Sequence, residues 1–461
     1  MHIPFIGRLR GQEWPVLFLS IAFVFFESFI HIITLFLPRF LLELFDKAAK
    51  LSLSTFSEVE DSDEIKKIRD LTSFVDICNA RGYESEVHYT ATKDGFLLAL
   101  HRITGRTNQP PNQVRKPVVY LHHGLLMCSE VWVVNENPKL SLAFALSDFG
   151  YDVWLGNNRG NKYSKKHLYC IPSQTQFWNF CIDDFALYDI PNSIDFILNA
   201  TGCKSLAYIG FSQGSAQAFA SLSIHPELNR KVSAFIAIAP AMSPPGLSNK
   251  IADSLMKASP MLLFLLFGRK AILSSTMFWQ YLVTPELFIR VIDVALYTLF
   301  NWKSKHITHK QKLIAYFHLY STTSVKSVVH WFQVLKNQCF QMYDDDPSAT
   351  ISLRKGFYEV TKFPTKNITT PITLIYGEID SLANPGHMAA NLPTGTDVRA
   401  VPDHEHLDLI WGDDVDKVVF PSVFQALEAS GSQSPVIYET LSSHKSLRAV
   451  RNSVSRGLAF L

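Results

Sequence analysis

The sequence predicts an α/β protein: a mostly parallel sheet with helices on both faces, broken by one long helical insertion. Three observations carry the prediction. Short apolar runs (Val118 to Leu121, Tyr151 to Trp154, Leu206 to Ile209, Ala234 to Ile238, Ile372 to Gly377) alternate with helical stretches. One of them leads straight into Gly210-Phe211-Ser212-Gln213-Gly214 and then a small-residue helical pattern from Ser215 to Leu222. Finally, about 130 residues separate the run ending near Ala239 from the one at Ile372, far more than a loop holds.

Taken in order, residues 1–56 read as a membrane anchor and its flank. Val16 to Leu37 is apolar except for Glu27 and His31, and long enough for a bilayer span. The two polar residues are costly at mid-bilayer and leave an interfacial or hairpin-like insertion open. No Ala-x-Ala pattern follows, which argues against a cleaved signal peptide. Arg8 and Arg10 on one side balance Arg39, Lys47 and Lys50 on the other, so charge does not set the orientation. Residues 57–64 form an acidic linker, Ser-Glu-Val-Glu-Asp-Ser-Asp-Glu.

The first part of the core is expected at 65–242. Ile65 to Ala80 carries a helical pattern. Glu86 to Ala91 and Phe96 to Arg102 predict a hairpin closed by Lys93-Asp94-Gly95. Residues 243–370 predict a helical cap, with apolar runs at Met261 to Phe267 and Phe288 to Phe300. Pro260, Gly268, Arg269 and Lys270 confine the first run, which argues against a second span. The core resumes at 371–430, and the Ser-rich tail at 431–461 is basic and expected to be disordered or to fold on a membrane.

Composition narrows the class. A net charge of +2 gives no reason to expect nucleic acid as partner. Apolar residues are 47% of the chain and charged residues only 18%, an excess that suggests membrane or lipid contact. Six scattered cysteines form no Cys-x-x-Cys pair, so they offer neither a zinc signature nor a disulfide framework. No protein partner is implied.

The Gly-x-Ser-x-Gly element has the strand-turn-helix setting of a nucleophile elbow. Gly210 and Gly214 fit a tight turn where a Cβ would collide, and the turn lifts the Ser212 hydroxyl clear of the sheet. A serine nucleophile needs a base, and the base an orienting acid. In α/β-hydrolases the acid and then the histidine follow the serine along the chain. Asp380 lies just past the Ile372 to Gly377 strand, with Glu378 and Asp403 as rivals and Asp344-Asp345-Asp346 as a solvated charge run. His404 and His406 follow the Val398 to Val401 strand, and local chemistry does not separate them. An oxyanion hole would use the backbone N–H of Gln213 and that of Leu125, in the loop after the first buried strand. His122 and His123, just before it, read as packing residues.

Several motifs together resemble the acid lipases, a family that includes lysosomal and gastric lipases and fungal steryl ester hydrolases. They are His123-Gly124-Leu125-Leu126, Gly156-Asn157-Asn158-Arg159-Gly160-Asn161, Phe177-Trp178 with Tyr188-Asp189, Gly210 to Gly214, Thr323-Ser324-Val325 with His330-Trp331, and Glu405-His406-Leu407-Asp408. The similarity runs from about Asp76 to Val415. It implies an α/β-hydrolase fold with an inserted helical cap and an N-terminal membrane segment like that of the fungal membrane-anchored branch. It implies Ser212, Asp380 and His406 as the triad, because the family base precedes Leu-Asp. Phe211 stands where a small or polar residue is usual, and Asn-Asn-Arg-Gly replaces Asn-Ser-Arg-Gly.

The expected activity is hydrolysis of steryl esters, and of triacylglycerols as a further class, through an acyl-serine. That chemistry needs no metal or cofactor. The substrate is a lipid ester at an endoplasmic reticulum or lipid-droplet surface, with the catalytic domain on the cytosolic side. Two alternatives are acyl transfer by the same triad and a non-catalytic lipid-binding protein on a hydrolase scaffold.

Overall fold

The computed structural model of the chain describes residues 14, 18, 63–107, 116–250, 253, 260–272, 283–345 and 360–431. The remainder of the expected anchor at Val16 to Leu37, most of the acidic linker and the basic tail after residue 431 lie outside the described residues. Among the described residues no helix is long and apolar enough to cross a membrane.

A nine-stranded mixed sheet runs through the core. In chain order its strands are β1 (Tyr83–Ala91), β2 (Phe96–Arg106), β3 (Val118–His122), β4 (Asp152–Leu155), β5 (Lys166–His167), β6 (Leu206–Phe211), β7 (Val232–Ile238), β10 (Ile372–Gly377) and β11 (Asp397–Val401). A separate two-stranded sheet in the cap pairs β8 (Ala271–Ile272) with β9 (Thr323–Ser324). The spatial order is β1-β2-β4-β3-β6-β7-β10-β11, with β5 beside β2. From β4 to β11 the pairings are parallel, whereas β1, β2 and β5 add an antiparallel edge. The strands β3, β4 and β6 are buried along their whole length, because helices cover both faces. Strands enclosed in that way have no polar side to show, so they read as unbroken apolar runs.

Short helices begin the described core, α1 (Asp63–Asp70) and α2 (Phe74–Ala80). The sequence predicts one helix here; the chain breaks it at Ser73, whose side chain accepts a hydrogen bond from Asp76 N–H and caps a new helix. Helix α3 (Gln213–Ile224) follows β6. Beyond β7 the insertion is helical: α4 (Pro260–Phe267), α5 (Pro285–Phe300), α6 (His309–Leu319) and α7 (Val325–Asn337). Apolar residues of α4 and α7 form one cluster against Leu125 and Leu126, so the insertion sits over the loop after β3. Among the described residues the six cysteines form no disulfide with one another.

The carboxyl ends of β3, β6, β10 and β11 are neighbours or near neighbours in the sheet. Ligands of open α/β sheets bind along that edge. The loops that leave it carry Leu125, Ser212, Asp380 and His406.

Candidate active site

Ser212 stands between β6 and α3 with φ +53° and ψ −118°, a strained conformation for a residue with a side chain. Close packing on both sides enforces it. A Cβ on Gly210 would lie 2.7 Å from the Gly214 backbone, and one on Gly214 only 2.4 Å from the His122 carbonyl oxygen. A side chain at Gly210 would push the start of α3 away from β6, and one at Gly214 would push it away from β3. Backbone bonds fix the turn itself: Ser212 N–H donates to Ile238 O at 3.0 Å, and Ser215 N–H donates to Ser212 O at 2.9 Å.

Asp380 and His406 meet. His406 Nδ1 lies 2.7 Å from Asp380 Oδ2, and both residues are buried. The other carboxylate oxygen, Oδ1, accepts from Leu382 N–H at 2.9 Å. The acid is thus oriented by its own loop and in turn orients the imidazole, leaving Nε2 for a proton from the nucleophile. Ser212 adjoins this ring through its neighbour Phe211, whose ring centroid lies 5.1 Å from that of His406. Among the described residues no hydrogen bond yet joins Ser212 Oγ to His406, and such contacts commonly tighten only when substrate is bound.

His404, two residues away, is engaged elsewhere. Its Nδ1 faces Pro402 O at 2.7 Å and its Nε2 faces Asp414 Oδ1 at 3.0 Å. Both partners are acceptors, an arrangement that favours the doubly protonated ring. Burial opposes that charge, but the Pro402 and Asp414 bonds outweigh it and raise the pKa above its ordinary value. A group raised in the folded state stabilises below its unfolded pKa, near 6.5, and loses its contribution as pH rises through the folded value. Asp414→Asn should therefore lower the melting temperature more at pH 5.5 than at pH 8.5, by the equivalent of about 1 kcal/mol at the acid end. Thermal melts of the two proteins at both pH values measure this; an equal loss at both would contradict the ion pair. The Glu378 side chain is exposed, and Asp403 faces His306 rather than His406. Asp344 and Asp345 lie beside cap helix α7.

The two expected oxyanion donors flank Ser212. A Cβ on Gly124 would come within 3.2 Å of Ser212 Cβ, so the loop after β3 lies directly against the nucleophile. His123 sets that loop. Its Nδ1–H donates to Gly124 O at 2.8 Å, while its Nε2 accepts from Asn158 N–H at 3.1 Å. Burial keeps the ring neutral, with its pKa pushed down to about 4. The C=O and N–H of a trans peptide point in opposite directions. Tying Gly124 O back to His123 therefore turns Leu125 N–H away from the imidazole. Leu126 takes φ +60°, and its carbonyl accepts from Ser321 N–H of the cap at 2.6 Å. Gln213 begins α3, where N–H groups have no partner within the helix. Its side chain is held by the cap: Trp331 Nε1–H donates to Gln213 Oε1 at 2.7 Å.

The Gly156 to Asn161 segment is scaffold. Arg159 is buried between Asp189 (Nη2–Oδ1 2.5 Å) and Asp94 (Nη1–Oδ2 2.5 Å), which locks the segment to the β1–β2 turn. Asn158 and Asn161 support the His123 ring. Sequence reasoning treated His122 and His123 alike. The structure gives His123 the bonds that shape the oxyanion loop and leaves His122 as a packed ring. Two more residues at the site have no role that the sequence assigns: Trp302, whose ring stacks on His406 at 5.0 Å, and Glu405, whose carboxylate faces the cap backbone. Their partners are about a hundred residues away in sequence, so no local signal could show them.

A parallel-sheet core, a strained serine at a strand-to-helix turn and a buried aspartate–histidine pair on the neighbouring loops define an α/β hydrolase of the serine type. The family comparison agrees: residues 117–413 match the alpha/beta hydrolase fold, and residues 74–136 match the partial alpha/beta-hydrolase lipase region. The chain is 45% identical over 437 residues to a Schizosaccharomyces pombe protein named as a probable lipase, covering 93% of each chain. It is 34% identical over 352 residues to human gastric triacylglycerol lipase, covering 74% of this chain and 87% of the relative. The chain belongs to the acid lipase family of α/β hydrolases, and its chemistry is carboxylic ester hydrolysis.

Proposed function

We propose that the protein is a membrane-associated steryl ester hydrolase that also accepts triacylglycerols. The observation that carries the catalytic part is the 2.7 Å bond between His406 and Asp380 on loops beside the strained Ser212. His406 Nε2 takes the Ser212 proton as Oγ attacks the ester carbonyl. Asp380 holds Nδ1–H and stabilises the imidazolium. The N–H groups of Gln213 and Leu125 receive the developing oxyanion, an effect worth roughly 3–4 kcal/mol for a donor in comparable sites. His406 then protonates the leaving alcohol, and water repeats the cycle on the acyl-serine.

The substrate class is supported by what surrounds the oxyanion loop. Leu125 and Leu126 pack with Leu263, Phe264, Val328 and Phe332 of the cap, a wall suited to a large apolar ester. The anchor at Val16 to Leu37 would hold the enzyme at an endoplasmic reticulum or lipid-droplet surface, with the catalytic domain facing the cytosol.

Purified protein assayed side by side on a radiolabelled steryl ester and a triacylglycerol tests the substrate. Free sterol as the dominant product supports the proposal, and cleavage of triacylglycerol alone overturns it. Added acceptor alcohol in the same assay detects acyl transfer. Removing residues 1–50 should shift the enzyme to the soluble fraction, spare cleavage of a short soluble ester and lower cleavage of long-chain esters in lipid particles. A truncated protein that stays fully membrane-bound would place the main anchor elsewhere.

A further inference from the structure

The cap segment from Phe300 to His306 lies across both loops that carry the acid and the base. Ser381 Oγ–H, beside the acid, donates to Phe300 O at 2.8 Å. On the base loop, Glu405 is buried, and burying a carboxylate is costly unless its oxygens are hydrogen-bonded. Its partners are backbone N–H groups of this segment: Lys303 N–H reaches Oε1 and Oε2 at 2.9 and 2.8 Å, and Ser304 N–H reaches Oε2 at 2.7 Å. Asn301 and Ser304 both take left-handed conformations, with φ +60° and +50°. Between them lie Trp302 and Lys303.

Trp302 lies flat on His406, with ring centroids 5.0 Å apart and planes within 8°. Phe300 backs the indole at 4.4 Å. Phe211 meets the imidazole as well, at 5.1 Å and a steeper angle. The indole Nε1–H has no hydrogen-bond partner among the described residues, so no polar contact of its own fixes the ring. Its place is set by the backbone that Glu405 holds and by Phe300.

We propose that Glu405 and Trp302 act together as a positioning device for the base: Glu405 clamps the cap backbone, and the clamped backbone presses Trp302 onto the His406 imidazole. The single bond to Asp380 leaves the ring free to swing about that bond, and a flat face against it removes the freedom. An aromatic face also favours the imidazolium that forms in the transition state over the neutral ring of the resting enzyme. Seating of the cap and competence of the base are thereby coupled. The inference rests on His406 being the base.

Full-length Trp302→Leu, Trp302→Phe, Glu405→Gln and the Leu/Gln double variant, assayed for kcat and KM on a short soluble ester, test it. A soluble ester removes the lipid surface from the comparison. Trp302→Leu should lower kcat roughly 10-fold with little change in KM, and Trp302→Phe should recover most of the loss. Glu405→Gln should lower kcat, and the double variant should be no slower than Trp302→Leu alone, because both changes act through one contact. Wild-type kcat in folded Trp302→Leu, a rise in KM with kcat unchanged, or losses that multiply in the double variant would overturn the device. If Trp302→Leu does not fold, Glu405→Gln with wild-type kcat would overturn it equally. His406→Ala with wild-type turnover would instead overturn the base assignment on which the inference rests.

Discussion

Ser212→Ala should abolish ester hydrolysis, with kcat lowered roughly 10⁵–10⁶-fold, the scale seen when a triad serine is removed. The substitution deletes one oxygen at the elbow. The turn should survive it, because the bonds that hold the turn come from the Ser212 backbone and from Ser215, not from the Ser212 hydroxyl. Alanine at φ +53° is strained about as much as serine, so stability should change little. Steady-state hydrolysis of a short ester, with a thermal melt alongside, measures both. Turnover near that of the wild type in the folded variant would remove Ser212 from the chemistry.

The second large effect separates the two histidines. His406→Ala should be nearly inactive, and Asp380→Asn should lose about 10⁴-fold in kcat, because the amide can no longer hold the needed tautomer. His404→Ala should keep substantial activity. Its ring nitrogens face Pro402 O and Asp414, and its face stacks on His306 at 4.0 Å, so it has no part in the proton transfer. Parallel kcat measurements on the three variants decide the matter. An active His406→Ala beside an inactive His404→Ala would reverse the assignment.

Much of the core was legible in sequence because the inner parallel strands are buried almost throughout. Leu206 to Phe211 and Ile372 to Gly377 have little room for polar residues, and their ends mark where the catalytic loops begin. The elbow was legible because its glycines answer to backbone contacts that admit no Cβ. The choice between His404 and His406 was not, since both sit past the same strand and differ only in what lies across from them. Resemblance pointed to His406, and the geometry supplies a physical reason: one ring faces a carboxylate of the neighbouring catalytic loop, the other faces Pro402 O on its own loop and Asp414 beyond the helix that follows. The contributions of the cap were the least legible. The helices of the insertion show in its apolar periodicity, but Trp331 on Gln213, Ser321 on Leu126 and Trp302 on His406 join residues far apart in sequence. The break at Ser73 was missed for a different reason: a helical pattern that continues across a capping residue resembles a single helix.

Covalent trapping tests the serine mechanism most directly. The full-length protein is treated with a p-nitrophenyl alkylphosphonate, which a nucleophile activated by a base attacks with release of nitrophenolate. Intact mass and peptide mapping then locate the adduct. The mechanism predicts one phosphonyl group per chain on Ser212, formed in step with loss of esterase activity, absent from Ser212→Ala and formed far more slowly by His406→Ala. An adduct on another residue, or full inactivation with Ser212 unmodified, would contradict it.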